Sequence, residues 1–194
     1  MILNPIRLVL MAIGAAVGLV VVLAVVVLVA AFTGSPGECD SGDREVESSP
    51  ALAEQLQAKL DVLDAQLDAG QAASISLDES EATSRGRQFL EDENAPIADL
   101  KICLNPDGPS ASGSLDAVLG LDVTAKVSGD IFLDGEHPRV EDVDIDVGAV
   151  PGFAAGGFEG AVEDVINDQL EHISLDHQLT ITFGEGTATL SGQP

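Results

Sequence analysis

Leu119-Gly120-Leu121-Asp122-Val123-Thr124-Ala125-Lys126-Val127-Ser128-Gly129-Asp130-Ile131-Phe132-Leu133 is the stretch on which the fold turns. Leu119, Leu121, Val123, Ala125, Val127, Ile131 and Leu133 share one face of an extended chain, opposite Asp122, Thr124, Lys126, Ser128 and Asp130. Successive side chains of a strand point to opposite sides, so this alternation predicts a strand with one buried face. Its length would approach about 50 Å at about 3.3 Å per residue, beyond the usual range, so it must bend. Ser128-Gly129 is where a bulge or kink is expected.

The pattern continues on both sides. Gly135 to Pro138 turns the chain, and Val143, Ile145 and Val147 face inward in the next strand. Phe158, Ala161, Val162, Val165, Ile166, Leu170 and Ile173 then mark an amphipathic helix. A closing hairpin sets Leu179, Ile181 and Phe183 against Ala188 and Leu190 across Gly184-Glu185-Gly186. Upstream, Leu100, Ile102 and Leu104 alternate with Asp99, Lys101 and Cys103 before the turn Asn105-Pro106-Asp107-Gly108. Cys103 therefore points away from the apolar face.

Two helices are expected before that strand. Ser49 can cap and Pro50 suits the first helical position. Leu52, Leu56, Leu60, Leu63 and Leu67 then recur at helical spacing until Gly70 stops the run. This leucine stripe either packs on the domain or forms a short self-association seam. After a short strand at Ser74 to Leu77, Asp78 with Glu81 makes a capping box for a helix through about Leu90, weakened by Gly86. The whole reads as an α+β domain: a long curved antiparallel β-meander packed against two or three amphipathic helices.

The N-terminal region has a different character. Residues 8–32, with Leu8 first and Phe32 last, are 25 uncharged, almost wholly apolar positions. As a helix they would span about 37 Å, enough for a hydrocarbon core about 30 Å thick. A cleaved signal peptide has a shorter apolar core, and no lipobox precedes Cys39, so a retained transmembrane helix is expected. Arg7 flanks one side, and Glu38, Asp40, Asp43, Glu45 and Glu47 the other. The bias of basic residues to the cytoplasm then places the N-terminus inside. The expected organisation is a cytoplasmic tip at 1–7, a single-pass membrane helix at 8–32, an acidic, solvated tether at 33–49 and an extracellular or periplasmic domain at 50–194. Gly14 and Gly18 form a Gly-x-x-x-Gly spacing, either an incidental pair or a contact for a second membrane helix, a homodimer included.

Composition narrows the chemistry further. Beyond residue 32, 7 basic residues face 33 acidic ones, a formal charge of −26, which repels nucleic acid and anionic headgroups. Solvated faces, with a saline habitat behind them, are one account of such acidity, and a dedicated cation store is the other. Cys39 and Cys103 both fall on the external side, where a disulfide persists, and are expected to pair; two free thiols are the alternative. No metal site is expected. Asp142, Asp144 and Asp146 alternate along a strand about 7 Å apart, His172 and His177 lie five apart, and His137 is remote. The serines of Pro109-Ser110-Ala111-Ser112-Gly113 lack a nucleophile elbow, and no phosphate loop with lysine occurs, so no catalytic residue or cofactor is assigned. Val150 to Phe158 is an uncharged loop whose Phe153 and Phe158 either tuck into the core or gate an apolar groove.

The order of single N-terminal anchor, helix opening near Asp78, long meander and late helix after Pro151-Gly152 resembles small single-pass bacterial envelope proteins of the YpmS type. These are similar in turn to the tubular lipid-binding (TULIP) superfamily, whose curved sheet around a helix encloses acyl chains. The likeness rests on element order over about residues 72–173. It implies a non-enzymatic, membrane-anchored protein that binds lipid or another apolar ligand in a groove. The candidate lining residues are Leu121, Val123, Val127, Ile131, Val143, Ile145, Phe153 and Phe158, all of which would serve equally well as core. The alternative is a structural accessory subunit of a larger membrane assembly.

Overall fold

In a computed structural model of the chain, the described residues are 38–92, 97–115, 123–133, 137–146, 167, 170, 175 and 177–194. Two complete helices, α1 (Pro50–Asp68) and α2 (Glu79–Asp92), accompany seven strands: β1 (Ala73–Asp78), β2 (Ile97–Asn105), β3 (Gly108–Leu115), β4 (Val123–Phe132), β5 (Arg139–Asp146), β6 (Gln178–Gly184) and β7 (Thr187–Gln193). The fold is α+β, and all strand pairs are antiparallel. Residues 8–32 lie outside the described residues, as does most of the expected late helix; Asn167 and Leu170 are helical. Among the described residues no helix is long and apolar enough to cross a membrane.

The strands form two sheets, where one continuous curved sheet was expected. β2, β3, β4 and β5 make a four-stranded meander in chain order, while β1 joins the terminal hairpin in the order β1-β7-β6. α1 lies on the three-stranded sheet. Its Leu56, Leu60, Leu63 and Leu67 form one buried cluster with Leu77, Leu179, Ala188 and Leu190 of that sheet and Leu104 of β2. Each buried leucine is worth about 1.5–3 kcal/mol of transfer free energy, which makes this cluster the main driving force for the helix. The helix ends follow their local chemistry. Ser49 Oγ accepts from Leu52 N–H at 3.3 Å. Gly70 N–H bonds Leu67 O and Gln71 N–H bonds Gln66 O, both at 2.9 Å. With Gly70 at φ +73°, this is a Schellman ending.

The Pro106-Asp107 turn forms as expected, with Asn105 paired to Gly108, and the terminal hairpin sets Ile181 opposite Leu190 and Phe183 opposite Ala188. β3 has no counterpart in the sequence reading, because Gly-Pro-Ser-Ala-Ser-Gly-Ser-Leu shows almost no apolar alternation. The interruption expected at Ser128-Gly129 is present, but the extra residue belongs to the opposite strand. Between the pairs Ser128↔Asp144 and Asp130↔Glu141, β4 supplies Gly129 alone while β5 supplies Asp142 and Val143. Asp142 has φ +52°. A Cβ on Gly129 would lie 3.2 Å from Val140 Cγ1 and 3.3 Å from Glu141 O, so glycine admits the bulged backbone. The same arrangement recurs between β2 and β3. Asp99, at φ +53°, and Leu100 oppose Gly113, whose Cβ would meet Ile97 Cγ2 at 3.0 Å. Each bulge puts an apolar residue, Leu100 or Val143, into a buried position.

Candidate functional site

The outer strands of the meander carry free backbone groups, and side chains satisfy them. Along α2, Glu79, Thr83 and Arg87 follow one another at spacings of four and so share one face. Glu79 Oε1 accepts from Leu104 N–H at 2.8 Å, Thr83 Oγ1 accepts from Ile102 N–H at 2.9 Å, and Arg87 Nε donates to Leu100 O at 2.8 Å. Three helical side chains thus stand in for a neighbouring strand beside β2. At the far side, the Asn167 amide both accepts from Val140 N–H and donates to Val140 O, each at 2.9 Å, which covers part of the β5 edge.

Residues 38–49 are seated on this framework. Cys39 is joined to Cys103, and Cys39 N–H donates to Ser112 Oγ at 3.1 Å. Arg44 donates to both oxygens of Glu79, at 3.0 and 2.9 Å, and to Asn105 Oδ1 at 3.1 Å. Hydrogen bonding to Glu79 raises the Arg44 pKa above its already high ordinary value, against the opposing effect of desolvation, so its charge is fixed at any working pH. Glu47 N–H and Ser49 N–H reach Ser80 Oγ and Ser84 Oγ on α2, at 3.1 and 3.0 Å. The described part of the expected solvated tether therefore lies against the domain.

Glu81 closes the capping box. Its N–H donates to Asp78 Oδ1 at 2.8 Å, and its Oε2 accepts from Asp78 N–H at 3.1 Å. Lys59 Nζ sits 2.6 Å from Oε1 and donates to Oε2 at 2.7 Å. Glu79 and Glu81, 4% and 1% exposed, are the buried carboxylates among the described residues, and each meets one cation. Their partners are backbone amides and cations, as burying charge requires.

Of the expected groove residues, Val127 faces Ile145 and Ile131 faces Val140 as cross-strand partners. Val143 and Ile145 are buried, and Val127 and Ile131 half-buried. The structure thus puts five of the eight on β4 and β5, and the side chains of the four just named are described. Val123 opposes Leu115 at the start of β4, and its side chain, like Leu121, Phe153, Phe158, Gly14 and Gly18, is outside the described residues. A concavity of about 420 Å³ lies elsewhere, at one end of the three-stranded sheet, and its lining includes Ser74, Gln178, Thr180, Ser191 and Gln193, uncharged polar side chains unsuited to an acyl chain. Asp142, Asp144 and Asp146 are exposed, as expected of a solvated face.

One constellation was not anticipated. Asp64 and Asp68 of α1 and His177, just before β6, bring one donor atom each to within 4.8 Å of one another. His177 Nε2 lies 3.2 Å from Asp68 Oδ1. The helical spacing of the two aspartates was visible in the sequence, but the approach of His177 depends on tertiary structure. No protein-family model, curated protein or solved structure matches this chain.

Proposed function

We propose that this chain is a membrane-anchored, non-enzymatic protein working outside the cytoplasm, whose four-stranded sheet takes up lipid or another apolar ligand through the face carrying Val127, Ile131, Val143 and Ile145. The observation that carries this reading is the seat of residues 38–49. A Cys39–Cys103 disulfide suits an oxidising exterior. Only six residues separate Phe32 from Cys39, a reach of about 25 Å when fully extended. A domain bonded covalently at Cys39 is therefore kept close to the bilayer that residues 8–32 would enter. An apolar ligand held there moves between membrane and protein with little exposure to water. The buried carboxylates support the non-enzymatic reading, since both are committed to backbone amides and ion pairs.

Native mass spectrometry of the full chain, extracted from its membrane in mild detergent, tests the ligand. A retained lipid is expected; a lipid-free chain accompanied by a stoichiometric second protein would replace this reading with the accessory subunit. Protease added to intact cells should remove residues 38–194, and survival of that region would overturn the topology.

A further inference from the structure

We infer that Asp64, Asp68 and His177 form a site for a single divalent transition ion of zinc's class, which fastens the C-terminal end of α1 to the start of β6. The donor set is mixed. Two carboxylate oxygens and one imidazole nitrogen gather within 4.8 Å although His177 is 109 residues from Asp68. Donors around zinc sit about 2.0–2.2 Å from the ion. The triad therefore needs only a small contraction of side-chain torsions to close on one. Imidazole selects against calcium and magnesium, which prefer all-oxygen shells, and in favour of zinc and its neighbours in the first transition row.

The electrostatics of α1 point the same way. Asp64 and Asp68 are one turn apart near the helix C-terminus, where aligned peptide dipoles already place partial negative charge and like-charged neighbours repel. No basic residue occupies the last turn of α1. The fold thus sets two carboxylates near that helix end and brings a metal-ligating imidazole to them. The three residues also bracket a packed seam. A Cβ on Gly192 would meet Leu67 Cδ1 at 2.6 Å and Leu179 Cδ2 at 2.9 Å, so the leucine beside Asp68 and the one two residues after His177 converge over Gly192. An ion at the triad would hold that seam from its rim. Asp68 is exposed while Asp64 and His177 are half-buried, which leaves an open side for a water ligand.

The test uses the full chain in detergent, disulfide intact and stripped by a chelator, titrated calorimetrically with zinc chloride and separately with calcium chloride. One saturable zinc per chain is expected, with no matching calcium event. Asp64→Asn is the discriminating variant, because it leaves the His177–Asp68 contact in place yet should abolish the zinc event; His177→Ala should abolish it too. Cobalt(II) bound to the native chain should show visible ligand-field absorption that His177→Ala loses, a readout independent of heat. Zinc binding unchanged in both variants, or zinc and calcium taken up alike in several equivalents, would overturn the site and leave an ordinary ion pair on an acidic surface.

Discussion

The two helices are buried for opposite reasons. α1 turns Ala53, Leu56, Leu60, Leu63 and Leu67 inward, an apolar stripe that leaves water by the hydrophobic effect. α2 is strongly polar, and its buried positions are Glu79, Glu81, Thr83, Ser84, Gly86 and Leu90. What makes its burial tolerable is the free edge of β2, whose amides and carbonyls need partners as much as the helix's own polar groups do. One helix is held by area, the other by complementarity of hydrogen-bonding groups. Disturbing the second kind on one side alone costs more than removing both partners together, because each lost partner leaves another buried group unsatisfied.

That contrast can be broken at three points. Leu60→Ala in α1 has the largest expected effect, a loss of about 2–5 kcal/mol from transfer and cavity terms, read as a lower urea midpoint with an unchanged slope. Glu79→Ala in α2 removes the acceptor of Leu104 N–H and should cost about 1–3 kcal/mol. Amide exchange at Leu104 should accelerate, and Glu79→Gln, which keeps an acceptor, should recover part of the loss. A Glu79→Ala protein as stable as the parent would remove the distinction between the helices. The smallest effect is expected at Val62, 53% exposed on the outer side of α1. Val62→Ala should change stability by less than about 0.5 kcal/mol, in the stabilising direction, because alanine has the better helix propensity.

The same contrast explains what was legible. Leu56, Leu60, Leu63 and Leu67 announce themselves by period, as do Ser49, Gly70 and the Asp78/Glu81 box by local capping chemistry, and all appear where expected. The Cys39–Cys103 bridge was readable from position alone. β3 was not, because a central strand flanked on both sides by partners can be built from Ser, Gly and Ala once those partners fix it. Nor was the division into two sheets, since strand alternation states which face is apolar and never which neighbour is chosen. The Arg44, Glu47 and Ser49 contacts that seat residues 38–49 beyond the disulfide, and the Asp64–Asp68–His177 group, escaped for a related reason. Both rest on single polar contacts between remote segments, which leave no periodic trace.

The paired irregularities at Asp99 with Gly113 and at Asp142 with Gly129 carry a consequence for how the meander finds its alignment. A hairpin that slid by one residue would offer Ser112 or Ser114 to the swollen backbone of β2, and Ser128 or Asp130 to that of β5. A Cβ there would come within 3.0 Å of a neighbour at the Gly113 position and 3.2 Å at the Gly129 position, so any of these side chains is seated only if its neighbours give way. Each outer hairpin thus carries its own steric checksum, one at either flank of the sheet. A mispaired chain would be penalised locally, before the rest of the molecule assembled around the error.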